Sequence, residues 1–140
     1  MVAALDLVRC LMHTTSPVRC TYLTYQEPVI VLSGTRNIQD VLDDVDVRTC
    51  AFADGLVHCG MYARALRVLP DVQQFAHSNS YVHVTGWSLG GGCAVHLASL
   101  LRESGVRVSS ITTFGAPRCA DEDFAAWYAN CGLDARTIRY

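Results

Sequence analysis

Three short stretches of this chain have the pattern of buried strands, and each ends in glycine. Residues 28–34 (PVIVLSG) form a nearly continuous apolar run, and residues 81–86 (YVHVTG) and 106–115 (VRVSSITTFG) follow later in the chain. Runs of this length are typical of strands covered on both faces of a parallel sheet. We therefore expect three core strands in this order.

Segments of helix length lie between and after these strands. They cover residues 61–77, 88–103 and 121–130. In the second segment, apolar residues recur at the spacing of one helix face, and these are Ala94, Leu97, Ala98 and Leu101. Strands that alternate with helices predict βαβ units and an α/β fold with a mostly parallel sheet. Because such crossovers are right-handed, the C-terminal ends of the strands should meet at one edge, where sites form.

The N-terminal residues are also apolar, and residues 2–13 predict a helix that docks on the core. Asp6 and Arg9 interrupt the run and no basic segment precedes it, which argues against a signal peptide. No apolar run approaches the ~20 residues that a membrane span needs. With 140 residues and 51% hydrophobic composition, residues 1–140 are expected to fold around one core as a single domain.

Charge and cysteine usage narrow the classes of function. The net charge is −2, with 11 basic and 13 acidic residues scattered along the chain, so a nucleic-acid partner is not expected. The seven cysteines are odd in number and lack C-x-x-C spacing, which argues against a full disulfide framework and a zinc site. We expect free thiols, no metal, no cofactor and, by default, a cytoplasmic location.

The second strand runs directly into a G-x-S-x-G motif at residues 86–90 (GWSLG). In such a motif a sharp strand-to-helix turn holds the central serine, here Ser88, in strained backbone geometry, and the glycines avoid clashes with the neighbouring chain. The turn also presents the hydroxyl at a helix N-terminus, which favours a developing oxyanion. The pattern therefore predicts that Ser88 is a nucleophile. The alternative is a plain βα turn whose glycines only allow close packing.

The loop after the first strand offers a possible second donor for an oxyanion. Gly34 and Thr35 follow this strand, and a Gly-Thr pair at a strand end can supply a backbone N–H and a hydroxyl together. The alternative is an ordinary turn in which Thr35 caps a helix.

The residues after Thr35 have the pattern of an amphipathic helix. Residues 37–46 (NIQDVLDDVD) carry four apolar residues on one face, Ile38, Val41, Leu42 and Val45, and acidic residues on the other. Such a helix could cover a cleft and open at a lipid surface. The alternative is a surface helix that packs permanently on the core.

Together these motifs resemble the fungal-type, or class 3, lipase family. The matching stretches come in the family's order and are residues 31–44 (VLSGTRNIQDVLDD), 55–60 (GLVHCG), 84–94 (VTGWSLGGGCA) and 113–124 (TFGAPRCADEDF). The resemblance covers most of the chain from about residue 28 onward. It implies a partial α/β-hydrolase fold and a serine hydrolase of carboxylic esters such as acylglycerols.

The resemblance also implies roles for individual residues. Ser88 would be the nucleophile, and Thr35 and the backbone N–H of Leu89 would form the oxyanion hole. Residues 37–46 would be the lid, which makes transient contact with a lipid surface. Trp87 departs from the family, which usually has histidine there, but that position is not catalytic in the family.

The partners that would activate Ser88 are missing from the expected places. In α/β-hydrolases the chain order is serine, acid, histidine. His96 is the only histidine after Ser88, and eight residues along one helix separate the two by ~12 Å, too far for proton transfer. Four histidines precede Ser88 and are expected to be structural or surface residues: His13, His58, His77 and His83.

The acids after Ser88 offer no better candidate. Glu103, Asp121, Glu122, Asp123 and Asp134 are expected to be solvated or to cap helices. Residues 136–140 (RTIRY) resemble the strand that leads to the family's catalytic aspartate, which would follow beyond this sequence. We therefore expect a lipase domain that is incomplete at its C-terminal end.

Three functions remain open from the sequence. The first is an ester hydrolase in which Ser88 forms an acyl-enzyme on a lipid or small ester. The second is a catalytically inactive lipase fragment that acts as a lipid-binding or interaction module. The third is half of a split enzyme that another chain completes. A cysteine nucleophile is not expected, because Cys93 reads as a small buried packing residue.

Overall fold

A computed structural model describes residues 11–13, 20–24, 27–34 and 48–140. The eight strands are β1 (Leu11–His13), β2 (Cys20–Thr24), β3 (Pro28–Leu32), β4 (Thr49–Phe52), β5 (Gly55–His58), β6 (Val82–Trp87), β7 (Val108–Phe114) and β8 (Thr137–Arg139). The helices are α1 (Cys59–His77), α2 (Leu89–Glu103) and α3 (Glu122–Asn130), and a 3-10 turn spans Asp134–Arg136.

Six of these strands form one sheet in the order β1-β2-β3-β6-β7-β8. The pairs β3–β6, β6–β7 and β7–β8 are parallel, whereas β1 and β2 extend the sheet with antiparallel pairs. The predicted α/β fold with a mostly parallel sheet is confirmed. The three predicted core strands are β3, β6 and β7.

Helix α2 lies at the centre of the core, packed on β3, β6 and β7, and α1 packs on its other side. The face that the sequence predicts is fully buried, as Ala94, Leu97, Ala98 and Leu101 show. α1 contributes apolar residues at three- and four-residue spacing, which are Met61, Ala65, Val68, Val72 and Ala76. None of the helices that the structure describes is both long and apolar enough to cross a membrane.

The N-terminal segment departs from the prediction. Leu11–His13 form strand β1, so the helix expected over residues 2–13 is wrong at these three positions. β1 pairs antiparallel with β2, and this backbone pairing outweighs the local apolar pattern. Residues 2–10 lie outside the described part of the chain.

A hairpin and a disulfide that involves it are not predicted by the sequence patterns. β4 and β5 pair antiparallel, with Phe52 opposite Gly55, in a two-stranded sheet of their own. Next to this hairpin, Cys50 and Cys59 form a disulfide with their Cα atoms 5.3 Å apart. The expectation of free thiols is therefore wrong at these two residues, because strand pairing brings them together without a C-x-x-C spacing.

Candidate functional site

Ser88 lies in the tight turn between β6 and α2, and its backbone is strained. Its φ of 52° and ψ of −126° fall in a region that residues with a side chain rarely adopt. Three backbone hydrogen bonds hold it there: its N–H donates to the Phe114 carbonyl at 2.8 Å, and its carbonyl accepts from the Gly91 N–H at 2.8 Å and from the Gly92 N–H at 3.4 Å. A plain packing turn does not require this conformation, so the geometry favours the nucleophile interpretation of the motif.

The glycines on either side of Ser88 are needed for close backbone contact. A Cβ on Gly86 would overlap the backbone of Gly90, and a Cβ on Gly90 would overlap the backbone carbonyls of Leu32 and Ser33. Both obstacles are backbone atoms, which cannot move aside as a flexible side chain can. The backbone of the turn is therefore in direct contact with the backbone at the end of β3.

Ser88 lies at the N-terminus of helix α2. The residue is partly buried at the N-cap position of α2, yet its side chain makes no capping hydrogen bond. The first N–H groups of an α-helix lack intrahelical acceptors and carry the positive end of the helix dipole. The Leu89 N–H belongs to this group, so an anion that develops on a substrate beside Ser88 would meet a favourable field.

The loop that follows β3 passes next to this serine. A Cβ on Gly34 would lie 2.9 Å from the Trp87 carbonyl oxygen and 3.5 Å from the Ser88 Cβ. Gly34 directly precedes Thr35, which lies outside the described residues. The four apolar residues of the predicted lid, Ile38, Val41, Leu42 and Val45, also lie outside them.

His96 is buried in the core and does not reach Ser88. Its ring stands edge-on to Tyr62 and Phe124, with centroid distances of 6.1 and 5.7 Å. Neither ring nitrogen has a hydrogen-bond partner in the described part of the chain. Burial lowers the pKa of His96 from 6.5 to about 4, so the ring is neutral near pH 7. The residue is therefore a core histidine, and the prediction that it does not serve Ser88 agrees with this position.

Among the histidines before Ser88, His58, His77 and His83 have other positions or contacts, and the side chain of His13 lies outside the described part of the chain. His58 caps α1, since its Nδ1 accepts from the Met61 N–H at 3.3 Å. His77 is an exposed residue at the end of α1. His83 lies five residues before Ser88 on β6, a separation of about 16 Å along the strand. Within the described residues, the Ser88 hydroxyl has no hydrogen bond to any of these rings.

The acidic side chains after Ser88 have structural roles. Asp121 caps α3 by accepting from the Phe124 N–H at 2.9 Å, and Asp134 forms an exposed ion pair with Arg139 at 2.7 Å. Glu122 and Asp123 are exposed in the first turn of α3. Glu103 pairs with its neighbour Arg102 at the end of α2. Among the described residues, therefore, no acid orients a histidine toward Ser88.

No cysteine or metal centre replaces the missing groups in the described residues. Burial raises the pKa of Cys93 to about 12, so the residue stays a protonated thiol and a poor nucleophile. The His, Cys, Asp and Glu side chains that the structure describes nowhere converge in a group of three or more that could hold a metal ion.

An aromatic surface that the sequence patterns do not predict borders Ser88. Trp87 is 72% exposed and lies opposite Phe114 in the register of β6 and β7. The Phe114 ring stacks on Tyr140 with a centroid distance of 5.1 Å and an angle of 10°. In the sequence, an aromatic residue ends or directly follows each of the strands β6, β7 and β8. Only the order of these strands in the sheet shows that the three aromatic residues are neighbours. A cavity of about 430 Å³ opens beside Tyr140, and Ser88 is not among its lining residues.

Solved structures with this architecture are fungal lipases. A lipase II from Rhizopus niveus superposes with a TM-score of 0.78 at 24% identity, over 94% of this chain and 55% of that one. The lipase of Rhizopus microsporus var. chinensis gives 0.74 at 23%, over 87% and 48%. The triacylglyceride lipase of Rhizomucor miehei gives 0.73 at 22%, over 83% and 50%. The chain thus spans about half the length of these lipases.

The mostly parallel sheet, the helices packed on it and the tight turn at Ser88 are features of the α/β-hydrolase fold. The sequence profile of the family described as Lipase (class 3) matches residues 29–139. The chain belongs to this class 3 lipase family, which confirms the resemblance stated from the motifs. A search of curated proteins finds no match.

Proposed function

We propose that this protein is a lipase-type serine hydrolase in which Ser88 attacks the ester carbonyl of acylglycerols or related lipid esters. The observation that carries the proposal is the strained conformation of Ser88 at the N-terminus of α2, with its hydroxyl free of a capping bond. Strain of this kind is typical of functional sites, because ordinary packing does not require it. Membership of the class 3 lipase family supports the same chemistry.

The reaction would proceed in two steps. The Ser88 hydroxyl oxygen bonds to the ester carbonyl carbon, the alcohol leaves, and an acyl-enzyme remains; water then releases the fatty acid. The proton of Ser88 must pass to a base and return to the leaving alcohol. Because the described histidines lie elsewhere, this proposal needs a base and an acid from outside the described residues or from a partner chain, as in a split enzyme.

We assign the oxyanion hole to the Leu89 N–H and to Thr35. The proximity of Gly34 to Ser88 supports this assignment, since Thr35 is the next residue along the chain. Residues 37–46 would act as the lid, with Ile38, Val41, Leu42 and Val45 facing the cleft or a lipid surface. The exposed Trp87 directly precedes Ser88 in the chain and would contact the acyl chain.

Covalent labelling tests the role of Ser88. We expect a fluorophosphonate to label the protein stoichiometrically, as measured by intact and peptide mass spectrometry. The Ser88→Ala variant should lose the label. The matched control, Ser104→Ala at the other end of α2, should keep it.

One observation favours a second function, in which Ser88 is not catalytic: among the described residues, no histidine or acid contacts it. In that case the protein binds lipid without hydrolysing it. A folded chain that resists the fluorophosphonate, yet floats with vesicles of phosphatidylcholine and triacylglycerol, would replace the hydrolase proposal with this one. The cytoplasmic location remains a prediction, and the disulfide between Cys50 and Cys59 counts against it.

A further inference from the structure

A second serine is hydrogen-bonded to a histidine at the opposite end of the sheet from Ser88. Ser110 of β7 lies beside His83 of β6, with 2.6 Å between the serine Oγ and the histidine Nδ1. The other ring nitrogen, Nε2, is 2.8 Å from an Oε2 carboxylate oxygen of Glu27, the residue before β3. Serine, histidine and acid therefore form one continuous chain of hydrogen bonds across three neighbouring strands.

The charge state of Glu27 determines which group donates and which accepts in each of these hydrogen bonds. Hydrogen bonds from Tyr81 and His83 lower the pKa of Glu27, so its carboxylate is ionised and can only accept. Tyr81 donates to the same oxygen at 2.8 Å. The Nε2 of a neutral His83 must then carry the hydrogen that it shares with Glu27, which leaves a lone pair on Nδ1. Ser110 consequently donates its hydroxyl hydrogen to His83, which is the arrangement of a nucleophile and its general base.

This cluster is open to solvent and separate from Ser88. The His83 and Glu27 side chains are 26% and 53% exposed, and Ser110 is partly buried. His83, which lies opposite Ser110, is about 16 Å from Ser88 along β6. Ser110 and Ser88 are therefore near opposite ends of the β6–β7 pair. Small molecules in solution can therefore reach the cluster of Ser110, His83 and Glu27 without contacting Ser88.

A cation lies near the cluster and could stabilise negative charge. The backbone carbonyl of Arg107 accepts from the Val82 N–H at 3.0 Å, which holds Arg107 beside the start of β6. The hydrogen bond to Glu27 raises the pKa of Tyr81, and the positive charge of Arg107 opposes this shift to a smaller extent. Ser110 lies within a strand and lacks the helix N-terminus that Ser88 has. Its reactions therefore depend on a substrate with a good leaving group.

We propose that Ser110, His83 and Glu27 form a second acyl-accepting site, which reacts with small activated carboxylic esters such as aryl acetates. The Ser110 oxygen bonds to the carbonyl carbon while its proton passes to His83 Nδ1. The bond between the carbonyl carbon and the aryloxy oxygen then breaks, and the aryloxy group leaves as a phenol with the proton that His83 returns. Glu27 is a positioning residue that holds the ring in the required tautomer.

The test uses the full chain with Ser88→Ala, so its result is independent of the hydrolase proposal. The probe is p-nitrophenyl acetate, and peptide mass spectrometry measures acetylation of Ser110. Ser109, the adjacent serine without a histidine partner, is the internal control. We expect Ser110 to be acetylated about 100-fold faster than Ser109, the usual size of general-base assistance.

Two further variants identify the base and the positioning residue. His83→Gln should remove the advantage of Ser110, and Glu27→Gln should reduce it in part, while acetylation of Ser109 stays unchanged in both. Circular dichroism checks that each variant is folded. Equal rates at the two serines, or a Ser110 rate that His83→Gln leaves intact, would overturn the proposal.

Discussion

The surroundings of a histidine decide its chemistry in this protein. His83 has a hydrogen-bond partner on each ring nitrogen and contact with solvent. Within the described residues, the His96 ring has no hydrogen-bond partner, and it is fully buried. A buried ring without partners strongly favours the neutral form, because water no longer solvates the charge. Protonation of His96 at acid pH therefore lowers the free energy of unfolding.

We predict that His96→Leu makes the protein less sensitive to acid. The pKa of His96 is about 4 in the folded protein, against an ordinary value of 6.5, so the unfolded chain binds more protons between these values. Stability is therefore present above pH 6.5 and is lost as the pH falls toward 4. Between pH 7 and pH 5 this residue should account for about 2 kcal/mol of that loss.

Urea denaturation at pH 7 and pH 5 measures this loss. His96→Leu should remove about 2 kcal/mol of the difference between the two pH values. The matched control is His77→Gln, which changes an exposed histidine at the end of α1 and should leave the difference as it is in the parent protein. An unchanged pH dependence in His96→Leu would contradict the prediction.

At the scale of elements, one aspartate joins the β4–β5 hairpin to α3. The Asp121 carboxylate accepts from the Phe124 N–H at 2.9 Å and from the Leu56 N–H at 3.0 Å. The Asp121 backbone N–H donates in turn to the Leu56 carbonyl at 2.9 Å. The sequence predicts the capping role of Asp121, but the bond to β5 follows only from the fold.

We predict that Asp121→Ala lowers the free energy of unfolding by about 2 kcal/mol, the sum of a lost helix cap and a lost hydrogen bond. Asp123→Ala is the matched control, since it removes an exposed carboxylate from the same first turn. That change should cost at most about 1 kcal/mol through the helix dipole. Denaturant titration of both variants measures the difference, and equal losses would show that the link to β5 contributes nothing.

Several elements could be predicted because their signals are local. The apolar run before Gly34 identifies β3, and the four-residue face that contains Leu97 identifies α2. The Thr49–Phe52 and Gly55–His58 strands of the hairpin could not be found this way, since they are short and lack a continuous apolar run. Their stability comes from pairing with each other and from contact with α3.

At the scale of the whole molecule, strand β8 forms one edge of the six-stranded sheet. Ile138 in this strand is 50% exposed, and Tyr140 follows it. An exposed strand edge with apolar side chains is a template for pairing with another chain. Within the described residues, no strand pairs with the outer side of β8.

We predict that the 140-residue chain associates with itself through β8 and that Ile138→Lys weakens this association. A lysine on an edge strand opposes pairing because its charge must lose water when a second strand approaches. A loss of about 1.4 kcal/mol would weaken the association constant about tenfold. Sedimentation velocity over a range of concentrations measures this constant. Leu66→Lys, at an exposed apolar position on α1, is the control and should associate like the parent chain; a similar loss in both variants would show that β8 is not the surface involved.

The sequence by itself determined the order of the core strands and helices, the position of Ser88 in its motif and the membership of the lipase family. These properties depend on spacing along the chain, which sequence patterns record directly. The tertiary structure decided which distant residues become neighbours, such as Glu27, His83 and Ser110 or Cys50 and Cys59. Strand order and pairing set these contacts, and they follow from the packing of the whole core rather than from local spacing.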